Sequence, residues 1–193
     1  MPDFLAAPFL GQYLLLRPGS TDGVQLPRGY FDQLAQAVAA GGSYPPWLPG
    51  LARQRWGMEL PAAAPMEGRV LVREESPYGY GRASWEINLG CNYACSHCYL
   101  GLKEFAGLPW TGKARLLHMM RDAGVVWLQI TGGEPTIDKD FTGAYRLASE
   151  LGMMLTVSTN GSPPVAARPA GAVHHTAAVP PGDQPVRDHG GSL

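Results

Sequence analysis

Apolar positions along this chain follow two periods, and the switches between them mark its elements. Residues 13–17 are strand-like, Pro18 to Gly23 is turn material, and Val24, Gln25 and Leu26 return as a partner strand. Phe31, Leu34, Ala35 and Val38 then recur at i, i+3, i+4 and i+7, which predicts a helix stopped by Gly41 and Gly42. A short helix over 48–56 follows the Pro-rich loop at Tyr44 to Trp47. Residues 59–68, rich in Pro and Ala, have connector composition, Val70 to Arg73 predicts a short strand, and Tyr78 to Gly81 a flexible approach to the next region.

From Ser84 the pattern becomes regular. Residues 84–89 alternate as a strand. A helix is predicted over 111–123, with Thr111 as N-cap, Leu116, Leu117 and Met120 on one face, and Gly124 as its stop. Residues 125–130 form a nearly continuous apolar run, as in a parallel strand buried on both faces. A second helix is predicted from Asp138, carrying Phe141, Ala144, Tyr145, Ala148 and Leu151, with Gly152 at its end and a third strand at 153–158. Strand, helix, strand, helix, strand with short connections predicts an α/β fold built of parallel βαβ units. Ligands gather at the carboxyl ends of such strands, so the loops at 90–99, 131–135 and 158–161 are expected to face one site.

The expected organisation is a small α+β module over 1–60, with a hairpin and helices in a winged-helix-like arrangement, a linker over 61–83, a core over 84–161 and a tail over 162–193. The tail contains six Pro, six Ala and four Gly, and no Ile, Phe, Tyr, Trp or Met. That composition predicts disorder and leaves three parallel strands with an open edge. Its histidines, His174, His175 and His189, have no partner motif.

Composition narrows the function classes. Fifteen basic residues against 16 acidic ones give a net charge of −1, which argues for neither nucleic acid nor an anionic membrane as partner. With 45% hydrophobic residues, no apolar run near the roughly 20 residues that span a bilayer, and no secretion-signal layout at Met1 to Leu5, a cytoplasmic location is expected. All three cysteines fall within eight residues, as Cys91, Cys95 and Cys98. An odd cluster of thiols suits metal or catalysis in a reducing compartment rather than a disulfide framework.

The spacing C-x3-C-x2-C after a strand offers three thiolates to a metal centre and leaves a fourth position open. A cubane iron–sulfur cluster with one free iron fits this spacing. Zinc held by the three thiols and His97 or His118 is the alternative, although zinc sites usually come as two separated pairs. His118 itself, beside Leu117 and Met119, has the setting of a surface or packing residue. Gly132 and Gly133 permit close backbone approach, Glu134 offers a carboxylate to an ammonium group, and Pro135 fixes the loop exit. Ser158, Thr159 and Asn160 either donate polar contacts to a ligand or cap the third strand.

The cysteine loop after a first strand, paired with Gly-Gly-Glu-Pro after a second, resembles the radical S-adenosylmethionine (SAM) superfamily over residues 84–161. The resemblance implies that Cys91, Cys95 and Cys98 bind a 4Fe-4S cluster whose free iron chelates SAM. It implies that His97 packs near the adenine and that Gly132, Gly133, Glu134 and Pro135 meet the methionine amino group, with Ser158 and Asn160 as further cofactor-binding candidates. The implied activity is reductive cleavage of SAM to a 5′-deoxyadenosyl radical, with electrons from a reductant protein such as a flavodoxin or ferredoxin. The implied fold is a partial (βα) barrel; family cores usually have six βα units, and three are predicted here. A truncated or frame-shifted product, inactive but still cluster- or peptide-binding, is therefore also expected as an alternative, besides the zinc protein. The N-terminal module resembles leader-binding domains of enzymes that modify ribosomal peptides, which implies a peptide substrate held by strand addition.

Overall fold

The computed structural model describes residues 2–61, 65–100 and 106–161. The expected tail, with its three histidines, lies outside the described residues.

The N-terminal region is organised on β1 (Phe4–Phe9). This strand pairs antiparallel with β2 (Gln12–Leu16) and parallel with β4 (Val70–Val72), while β3 (Gly23–Leu26) adds antiparallel to β2, giving the order β3-β2-β1-β4. Helices α1 (Arg28–Ala39) and α2 (Trp47–Trp56) stand where the helical period puts them. The strand β1 leaves no alternation in the sequence because both its faces are covered. Phe4 and Ala6 share a core with Leu34 of α1 and Leu48 of α2, whereas Leu5 and Ala7 pack with Val126 from the second sheet. The stretch with connector composition is not a bare spacer. Leu60 and Met66 are buried in the first core, Pro65 bridges to Ser43, and β4 is the parallel partner of β1.

The second sheet contains β5 (Arg82–Asn88), β6 (Trp127–Gly132) and β7 (Met154–Val157), all parallel in the order β5-β6-β7. The connecting helices are α3 (Trp110–Asp122) and α4 (Phe141–Glu150). Two boundaries differ from expectation. Thr111 lies inside α3, which begins behind Pro109 without a side-chain cap, since proline already supplies the φ of −62° that leads into a helix. Helix α4 does not start at Asp138. A single 3-10 turn, Pro135–Ile137, comes first, and Asp138 is extended, with its carboxylate held by Lys113 of α3 (Nζ to Oδ1 2.5 Å). Lys113 also reaches Asp140 at 3.1 Å. This buried ion pair ties the start of α3 to the turn before α4.

Trp85, Ile87, Leu128, Ile130, Leu155 and Val157 form one core with Leu117 of α3 and Phe141, Ala144, Tyr145 and Ala148 of α4. Both helices therefore cover the same face. Adjacent strands in consecutive order with crossovers of one hand require this. It corrects the expectation that the middle strand is buried on both sides: Gln129 of β6 is exposed and Trp127 and Thr131 are partly so, on the face the helices leave open.

The first sheet abuts the amino ends of the second. Leu5, Ala7, Leu16 and Val126 form the junction, Phe9 meets Trp127 edge-on with centroids 4.6 Å apart, and Arg73 crosses over from beyond β4. The Arg73 guanidinium donates to the carbonyls of Val125 (3.0 Å), Gly152 (2.9 Å) and Arg121 (2.7 Å). It thereby caps carbonyls at and beyond the ends of α3 and α4 and adds to the bond that Gly124 N already gives Arg121 O (3.0 Å). No helix among the described residues is long and apolar enough to cross a membrane.

Candidate functional site

The three informative loops do meet, at the carboxyl ends of β5, β6 and β7. The first join is backbone to backbone. Gly133 N donates to Asn88 O at 3.1 Å and Glu134 N to Gly90 O at 2.8 Å. A Cβ on Gly132 would sit 2.0 Å from Asn88 O, and one on Gly133 would sit 2.1 Å from Gly90 O. Gly132 also holds φ +135°, which disfavours a side chain. The close approach these glycines permit is thus to the cysteine loop's own backbone.

Glu134 makes the second join. Its side chain is fully buried. Oε1 accepts from Thr136 N (3.0 Å), Thr136 Oγ1 (2.5 Å) and Thr159 Oγ1 (2.7 Å), and Oε2 accepts from Asn160 N (2.7 Å). The carboxylate is turned inward as a tie between the β6 and β7 loops, and charge-assisted bonds of this kind are the strong ones. Pro135, also buried, opens the 3-10 turn that supplies Thr136.

Asn160 makes the third join. Its Nδ2 lies 2.9 Å from Asn92 Oδ1 and 3.8 Å from Cys91 Sγ, so the end of β7 touches the first cysteine. Tyr93 N also donates to Cys91 Sγ, at 3.4 Å. Cys91 and Cys98 are partly exposed, Cys95 is exposed, and all three are free thiols. Cys98 N donates to Cys95 O at 3.2 Å, closing a turn between them. Among the described residues no three His, Cys, Asp or Glu side chains converge tightly enough to grip a metal ion unaided. His97 is exposed on the loop, His118 is exposed on α3, and Ser158 lies beside the open face, its Oγ accepting from Gln129 Nε2 at 2.7 Å.

No protein-family profile matches the chain. An S-adenosylmethionine-dependent nucleotide dehydratase of Selenomonas ruminantium is 28% identical over 82 residues, which are 42% of this chain and 30% of that protein. An Fe-coproporphyrin III synthase of Methanosarcina barkeri is 38% identical over 82 residues, 40% of this chain and 20% of that protein. A mycofactocin maturase, MftC, of Mycobacterium ulcerans is 32% identical over 90 residues, 44% and 24% of the respective chains. These relatives are radical SAM family members, and the likeness covers about two fifths of this chain. The chain spans less than a third of the length of each of these three relatives. Among solved structures, Streptococcus suis SuiB bound to precursor peptide SuiA superposes with TM-score 0.48 at 16% identity, covering 83% of this chain and 42% of that one.

Several residues of this site carry no motif of their own. Thr136 and Thr159 are legible only once Glu134 is known to be buried between them. Tyr99 donates its phenol to Glu86 Oε1 at 3.0 Å, linking the cysteine loop to the open face of β5. That hydrogen bond, helped by partial burial, raises the Tyr99 phenol above its usual range. Strand alternation is the one signal that could have placed Glu86 on this face, with Trp85 and Ile87 opposite.

Proposed function

We propose that this chain carries the cofactor-binding part of a radical SAM enzyme. In this reading residues 84–161 are three βα units of a partial barrel, with the open face of β5, β6 and β7 as its interior. The observation that carries it is the contact of all three strand-end loops around Cys91: Gly133 and Glu134 on residues 88–90, and Asn160 on Cys91 itself.

The donor set fits a 4Fe-4S cluster. Cys91, Cys95 and Cys98 supply three thiolates from one solvent-reachable loop, and N–H groups aimed at Cys91 Sγ suit a sulfur that carries negative charge. When reduced, the cluster supplies the electron that splits SAM to methionine and a 5′-deoxyadenosyl radical. The chain's own residues bind and orient. With the Glu134 carboxylate consumed inside the protein, the loop from Gly132 to Pro135 offers backbone carbonyls to the SAM amino group, while His97 and Ser158 line the approach. The reductant is a protein such as a flavodoxin or ferredoxin.

The proposed substrate is a peptide. Strand β3 is an edge of the first sheet, with Val24 and Gln25 open to strand addition beside α1. This sheet packs at the amino ends of β6 and β7, so the recognised segment and the cysteine loop lie at opposite ends of strands about 20 Å long at roughly 3.3 Å per residue. An extended peptide bridges that span.

The test is anaerobic reconstitution of the full chain with iron and sulfide, followed by reduction in the presence of SAM. The expected results are a four-iron cluster, 5′-deoxyadenosine, and loss of iron in each of Cys91→Ser, Cys95→Ser and Cys98→Ser. A cluster without 5′-deoxyadenosine would make the chain a cluster-binding piece that is inactive alone. Stoichiometric zinc with no cluster overturns the proposal.

A further inference from the structure

Asn160 is held from two sides. Its backbone N–H is fixed by the buried Glu134 carboxylate at 2.7 Å, which places the side chain over the cysteine loop. An amide nitrogen has two hydrogens. One is directed to Asn92 Oδ1 at 2.9 Å, and this bond turns the second toward Cys91 Sγ at 3.8 Å. With Tyr93 N at 3.4 Å, two N–H groups from different loops converge on one sulfur.

We propose that Asn160 is a positioning residue that raises the reduction potential of the metal centre through its N–H contact with the Cys91 sulfur. The inference rests on the cluster assignment above and adds a role for the third strand's loop. Reduction places further negative charge on the cluster and its thiolates, and a donor at a ligand sulfur stabilises that form more than the oxidised one. Because Asn160 is fixed by Glu134, the loop after β6 and the loop after β7 act on the first ligand together.

The experiment is a redox titration of the reconstituted full chain, followed by electron paramagnetic resonance, on the wild type, Asn160→Leu and Asn160→Asp. Leucine keeps the branched shape and removes the donor. Aspartate keeps the shape, removes the donor and adds negative charge. The expected order of midpoint potentials is wild type highest, Asn160→Leu lower and Asn160→Asp lowest. The leucine variant should shift the one-electron equilibrium by about tenfold, equivalent to about 59 mV. Circular dichroism and iron content, matched across the three proteins, separate this from loss of fold, and the aspartate variant stands in if the leucine variant does not fold. A variant with wild-type iron content and an unchanged or raised midpoint overturns the inference while leaving the cluster assignment intact. A wild type that assembles no cluster overturns the assignment and the inference with it.

Discussion

Replacing Glu134 by Gln tests whether the buried carboxylate is the tie between the strand-end loops. The change keeps the shape and the fully buried setting but removes the charge and turns one acceptor into a donor. If the amide oxygen takes the place of Oε1, facing Thr136 N, Thr136 Oγ1 and Thr159 Oγ1, the amide NH2 is pressed against Asn160 N, donor against donor. The opposite rotamer sets the NH2 against Thr136 N and leaves two hydroxyls to turn away. Losing one charge-assisted bond costs about 1.5–3 kcal/mol, and an unpaired buried N–H adds to this, so the expected destabilisation is about 2–4 kcal/mol. Glu134→Ala, which strands both backbone N–H groups and opens a cavity, should cost more. Urea unfolding at neutral pH, read by tryptophan fluorescence with Trp85 in the affected core, gives both numbers at constant m-value. A Gln variant within ~0.5 kcal/mol of wild type, the range of an ordinary surface change, would refute the reasoning.

Arg73→Met should destabilise the chain by about 3 kcal/mol or more, because the carbonyls of Val125 and Gly152 lose the guanidinium donor while Arg121 O keeps only Gly124 N; urea unfolding checks this, and Arg73→Lys should fall between. Tyr145→Phe should be neutral or stabilising at pH ~7, since the buried Tyr145 hydroxyl has no partner, and thermal melts measure it. The same variant should flatten the alkaline limb. Burial raises the Tyr145 phenol above its usual value near 10, so the wild type holds its proton more tightly when folded, and that stability is present below the usual value and is lost as pH climbs through the folded one. Gly133→Ala, whose Cβ would lie 2.1 Å from Gly90 O, should part the two loops and lower iron per chain after reconstitution while circular dichroism stays near wild type.

Much of the fold was legible in the chain. The hairpin of β2 and β3, both N-terminal helices, and the βαβαβ run from Arg82 to Val157 follow from local period and Gly punctuation, which sense only a residue's near neighbours. The meeting of three loops at one end was legible too, because parallel strands point their carboxyl ends the same way. What escaped depended on partners far along the chain. β1 is buried on both faces and shows no period. The late start of α4 depends on Lys113 drawing Asp138 away 25 residues later. The open face of β6 depends on both helices choosing the other side.

By itself, the sequence determined where the candidate residues stand along the chain: three thiols at Cys91, Cys95 and Cys98, and a loop from Gly132 to Pro135, each after a strand end. Tertiary structure decided what those residues face. The glycines meet the backbone of Asn88 and Gly90, Glu134 turns inward to Thr136, Thr159 and Asn160, and Asn160 reaches Cys91. The physical reason is that hydrogen-bond partners between loops are set by strand register and crossover direction, which no local pattern encodes.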